Sequence, residues 1–68
     1  MYIWVIYGEW DGAPAVLIRH RDGLTLAFKY VNNVWGYVSP DDAASQVKEI
    51  GGAAFLRRWP YLRLPNFR

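Results

Sequence analysis

Cysteine is absent from this chain, and histidine occurs once, as His20. The first absence excludes disulfides. Together the two leave no Cys/His set for a structural zinc site. Serine is limited to Ser39 and Ser45, and lysine to Lys29 and Lys48. No nucleophile stands beside a base in the sequence. No glycine-rich loop opens a predicted helix; Gly51-Gly52 follows one, the wrong order for a phosphate cradle. The apolar run Tyr2 to Tyr7 is too short to span a bilayer. Met1-Tyr2-Ile3-Trp4 shows neither the basic stretch nor the small-residue cleavage pattern of a signal peptide. The expectation is a cytoplasmic, non-enzymatic protein with no membrane partner, no metal and no cofactor.

What the sequence does hold is apolar and aromatic. Of 68 residues, 53% are hydrophobic and 18% aromatic, including four tryptophans and five tyrosines. That composition folds rather than staying disordered. The length allows a single domain, 1–68, with a thin core. Net charge is +2 but unevenly spread. Through residue 36, Arg19, Arg21 and Lys29 balance Glu9, Asp11 and Asp22. Residues 53–68 carry Arg57, Arg58, Arg63 and Arg68 with no acid. Residues 52–68 therefore read as a basic, aromatic C-terminal strand or tail.

The pattern changes once, at Ser39-Pro40. Before it, β-branched and aromatic runs suit strands over Tyr2–Trp10, Ala15–Arg21, Leu24–Val31 and Val34–Val38. Asp11-Gly12-Ala13-Pro14 reads as a loop. Asp22-Gly23 and Asn32-Asn33 read as two-residue hairpin turns. After the change, Ser39 caps a helix predicted over Pro40–Ile50, with Pro40 at its first position and Asp41 and Asp42 at its positive end. Ala43, Val47 and Ile50 form its apolar stripe. Ala53–Trp59 reads as a fifth strand, with a short second helix as the alternative. The fold class expected is α+β: a small antiparallel meander of four to five strands with one helix packed on it, in the order β-β-β-β-α-β.

Two-residue turns at both places fix which side chains share a face. Arg21 then opposes Leu24, Arg19 opposes Leu26, and Leu17 opposes Phe28. Tyr30 opposes Trp35, and Phe28 opposes Tyr37. One face carries Leu17, Arg19, Leu26, Phe28, Tyr30, Trp35 and Tyr37. The other carries Val16, Ile18, His20, Ala27, Lys29, Val31, Val34, Gly36 and Val38, and receives the helix stripe. A one-residue error in either turn exchanges these assignments.

The aromatic face has two readings. It is core, covered by the tail residues Trp59, Tyr61, Leu62, Leu64 and Phe67. Or it is an open binding surface, since Tyr, Trp and Arg are enriched at interface hot spots. On the second reading the anchors are Phe28, Tyr30, Trp35 and Tyr37, with Arg19, Arg57 and Arg58 supplying rim charge. The first expectation is a protein partner and a role as inhibitor or adaptor, resembling small phage and mobile-element inhibitors in style alone. One alternative is nucleic-acid binding, with C-terminal arginines on phosphates and rings stacked on bases. Another is a homodimer or other small homo-oligomer holding a nucleotide-like ligand at its interface. His20 reads as a packing or surface residue rather than a general base. Asp41 and Asp42 read as partners of the helix dipole.

Overall fold

Five antiparallel strands form one sheet in the computed structural model, which describes residues 2–65. They are β1 (Tyr2–Trp10), β2 (Ala13–His20), β3 (Thr25–Val31), β4 (Val34–Val38) and β5 (Lys48–Glu49). Helix α1 (Pro40–Gln46) precedes β5, and helix α2 (Gly52–Arg58) follows it. The sheet order is β4-β3-β2-β1-β5. The α+β meander is therefore present, with two helices where the sequence predicts one.

The hairpins explain the register. Asn32 and Asn33 have φ of 55° and 64°, the left-handed pair of a type I′ turn, and Val31 faces Val34 as expected. Asp11 and Gly12 do the same at φ 53° and 79°. This loop is tighter than predicted, since Ala13 and Pro14 already belong to β2, opposite Trp10 and Glu9. Pro14 is tolerated because the β2–β3 ladder stops one residue later in the chain, at Ala15–Lys29.

The Asp22-Gly23 expectation fails by one residue. His20 N–H donates to Leu24 O at 2.7 Å, and Gly23 N–H donates to His20 O at 3.0 Å. The loop therefore has three residues, Arg21, Asp22 and Gly23, with Gly23 at φ 92°. A turn that ends on a left-handed glycine is the common three-residue hairpin. Asp22 Oδ1 fixes it by accepting from Leu24 N–H at 3.1 Å. The consequence is a shifted register: Arg19 faces Thr25, Ile18 faces Leu26 and Val16 faces Phe28. Every β2 side chain changes face relative to the expectation.

Each face is covered by one helix. Leu17, Ala27 and Ala43 form a buried cluster on the α1 side, joined by Ile6, Trp10, Val38 and Val47. Val16, Ile18 and Phe55 form the other, joined by Val5, Tyr7, Leu26, Phe28, Trp35, Ile50, Trp59 and Leu62. Phe55 is 1% exposed, and its ring lies 5.4 Å from Tyr7 and 4.9 Å from Trp59. Burying one such side chain contributes roughly 1.5–3 kcal/mol.

Two boundaries differ from the periodicity reading. Helix α1 keeps its predicted start: Ser39 caps it by accepting from Asp42 N–H at 3.5 Å, and Pro40 opens it. It stops at Gln46 instead of Ile50, because Val47 turns extended and residues 48–49 join the edge of β1. Ile50 and Gly51 both donate to Tyr7 O, at 3.0 and 3.2 Å. Ile50 consequently packs on the Phe55 side, away from Ala43 and Val47. Residues 53–59 are not the fifth strand but the short second helix that is its alternative: Gly52–Arg58 is helical, and Arg57 and Arg58 lie in its last turn, where cations suit the dipole. Gly51, at φ 82°, opens this helix rather than closing the one before.

Candidate functional site

The surface of interest is built by the β3–β4 hairpin and the segment after α2. On one side of the hairpin, Phe28 and Tyr37 stack at 5.2 Å, and Tyr30 and Trp35 meet edge-on at 5.2 Å. Strand alternation puts all four on one face, as the type I′ turn requires. Residues 59–65 then run across that face. Trp59 and Leu62 pack into the Val16–Ile18–Phe55 cluster, and Pro65 is buried. The Trp35 indole Nε1 donates to Arg63 O at 2.6 Å. That bond satisfies the polar end of a half-buried tryptophan, the usual requirement for burying one.

The covered-core reading of the aromatic face therefore holds for much of it. Phe28, Tyr30 and Trp35 are half-buried, whereas Tyr37 remains 64% exposed. Phe67, expected in the cover, lies outside the described residues. A groove of about 590 Å³ remains between hairpin and C-terminal segment. Its walls include Phe28, Tyr30, Val34, Trp35, Tyr61 and Arg63. Tyr61 is 96% exposed, Val34 60% and Leu64 40%.

The predicted arginines do not gather on this groove. Arg19 faces Trp4 and Thr25 across the ladders, so it lies on the opposite side of the sheet from the four aromatics. The shifted β2–β3 hairpin is the cause. Arg58 is ion-paired with Glu9, and its guanidinium stacks 4.8 Å from the Trp59 ring centre. Arg57 is exposed at the end of α2. Arg63, which the sequence places in the basic tail but not among the rim arginines, lines the groove, the one arginine among the described residues to do so. Its position follows from the path of residues 59–65, and no sequence spacing announces it.

A second, smaller cleft of about 430 Å³ lies on the α1 side, between Trp4, Ile6, Leu17, Pro40 and Val47. Trp4 is 51% exposed there. Both serines serve α1: Ser39 as its cap, and Ser45 by donating its hydroxyl to Asp42 O at 3.0 Å. His20 is half-buried, and its Nε2 meets no hydrogen-bond partner among the described residues. No helix among the described residues is long and apolar enough to cross a membrane.

Compared with protein-family models, with curated proteins and with solved structures, the chain matches none.

Proposed function

We propose that this chain is a non-enzymatic binding protein, an inhibitor or adaptor, that holds a protein partner against its β3–β4 hairpin and C-terminal segment. The observation that carries the reading is the grouping of exposed large apolar side chains there. Val34, Tyr61 and Leu64 border the groove, and Tyr37 stands beside it on Phe28. Grouped apolar exposure of this kind marks interaction surfaces, whereas scattered exposure does not. Tyr61 and Tyr37 each offer a large ring with few rotamers to immobilise, the economy that makes tyrosine frequent at hot spots. The groove beside them can receive a partner side chain.

Nucleic-acid binding is the second reading, favoured by Arg63 beside Trp35 and Tyr61 in the groove. It has less support. Arg58 is engaged with Glu9, and Arg19 faces the other way, so few cations among the described residues converge on the rings. A sequence-independent binder needs several phosphate contacts.

Affinity capture from the native host separates the readings. Wild type and a Tyr61→Ser/Leu64→Ser variant are compared at low and high salt. Both substitutions lie at exposed positions, so the fold is retained. One protein captured in stoichiometric amount at both salts, and lost with the variant, supports the proposal. Capture of nucleic acid that disappears as salt rises favours the second reading. A protein captured equally by both chains places the working surface elsewhere.

A further inference from the structure

We propose that two copies of this chain pair through β4, antiparallel and two-fold symmetric about Gly36, to make one continuous sheet. This goes beyond the reading above, because it concerns the main-chain edge of β4 rather than the groove on its face. β4 ends the sheet, and among the described residues its backbone bonds only to β3. Edge strands invite pairing unless a charge, a proline or a bulge blocks them. Val34–Val38 contains none of these. The opposite edge is different: its outermost strand, β5, has two residues, Lys48 and Glu49, both charged, and β1, open beyond Gly8, has an irregular register between Tyr2 and Trp4.

The register shows which groups are free to pair. A two-residue turn closes on a hydrogen-bonded pair, here Val31–Val34. Bonded and non-bonded pairs then alternate, so Lys29–Gly36 and Ala27–Val38 are bonded while Tyr30–Trp35 and Phe28–Tyr37 are not. The N–H and C=O groups of Trp35 and Tyr37 therefore point out of the sheet. The strand reads Val-Trp-Gly-Tyr-Val, which keeps its character when reversed. Antiparallel pairing about Gly36 sets Trp35 opposite Tyr37 of the second copy, and Val34 opposite Val38. The two residues with outward-pointing groups are thus the two that a dyad at Gly36 brings into reciprocal hydrogen bonds. Gly36 itself falls at a non-bonded position, where the backbones approach most closely. Aromatic residues then oppose each other across the dyad on the same face, a favourable cross-strand pairing. The sequence symmetry, the bonding phase and the unprotected edge all select the same dyad.

Sedimentation equilibrium over protein concentrations from about 1 µM to about 1 mM tests this. A five-residue edge is a small interface, so wild type should show a monomer–dimer equilibrium with Kd on the order of micromolar. Tyr37→Pro removes an outward N–H that β3 does not use, and should be monomeric throughout. Gly36→Glu is tolerated in the monomer, since a Cβ there meets only Lys29 O at 3.8 Å, and the new carboxylate faces Lys29. In the dimer two carboxylates would oppose each other, weakening association about fivefold. Gly36→Lys should weaken it similarly. Mixing the Gly36→Glu and Gly36→Lys proteins should restore association as a heterodimer, a rescue that only a dyad at residue 36 provides. A wild type that stays monomeric at the highest concentration overturns the proposal. So does a folded Tyr37→Pro that dimerises with wild-type affinity, or a mixture that associates no better than its components. If Tyr37→Pro fails to fold, the charge-exchange pair decides the question alone.

Discussion

The indole Nε1 of Trp35 donates to the main-chain oxygen of Arg63 at 2.6 Å, joining positions 28 residues apart in sequence. This bond ties the C-terminal segment to the β3–β4 hairpin and sets one wall of the groove. Trp35→Phe keeps an aromatic ring and removes the donor. Urea unfolding should show a loss of about 1 kcal/mol, the net worth of one such bond with its acceptor left able to find water. Amide exchange should quicken in residues 61–64 more than in the strands. Unchanged exchange there would mean that packing of Trp59 and Leu62 alone holds the segment.

Gly8 is where β5 reaches the sheet. A Cβ at this position would lie 2.5 Å from Lys48 O and 2.6 Å from Val47 Cγ1, one of them rigid backbone. Gly8→Ala should therefore cost about 1–3 kcal/mol as an overpacking change. The damage should be local: the Ile50 and Gly51 amides, which donate to Tyr7 O, should lose exchange protection first. A variant as stable as wild type would show that β5 can move aside freely.

Phe55 and Tyr61 carry similar rings in opposite surroundings, 1% and 96% exposed. Phe55→Ala should destabilise the fold by about 3–5 kcal/mol, close to the whole stability of a domain this small. Tyr61→Ala should leave the unfolding midpoint unchanged, whatever it does to binding. Circular dichroism melts of the two variants check both halves of this contrast.

Arg58 and Glu9 link the end of α2 to β1. The Arg58 side chain is 46% exposed, so solvent screens the pair. A double-mutant cycle with Arg58→Ala and Glu9→Gln should give a coupling of about 0.5 kcal/mol that shrinks with added salt. The stack of Arg58 on Trp59 adds a salt-insensitive part to the single-mutant loss. A coupling indistinguishable from zero at low salt would mean that the arginine is held by the ring alone.

Much of the meander is legible residue by residue. β1 and β4 have their expected bounds, and the Asn32-Asn33 turn has the predicted residues at positive φ. The start of α1 is equally local, because a capping serine, a proline and two aspartates act within one turn. The candidate site is less legible. Phe28, Tyr30, Trp35 and Tyr37 do share a face, because one tight turn decides their phase. Arg19 does not join them, because Asp22-Gly23 closes a three-residue loop and carries β2 out of step. Asp-Gly serves both kinds of hairpin, and the dipeptide does not distinguish them. Arg63 enters the groove through the course of the C-terminal segment, to which no periodicity applies.

The chain's own sequence determined the first four strands, the turn at Asn32-Asn33, the helix start at Ser39 and the aromatic phase of β3 and β4. These rest on backbone preferences and side-chain alternation acting over a few residues. Tertiary structure alone decided that residues 48–49 leave the α1 periodicity for the sheet edge, and that residues 53–59, open to strand or helix by local preference, form the helix that places Phe55 on Tyr7. It also decided that residues 59–65 cover part of the aromatic face. The reason is physical: an unpaired edge beside Gly8 gains more from residues 48–49 than their helical periodicity can offset, and covering the apolar cluster on Val16 and Ile18 selects between conformations that local preference leaves open.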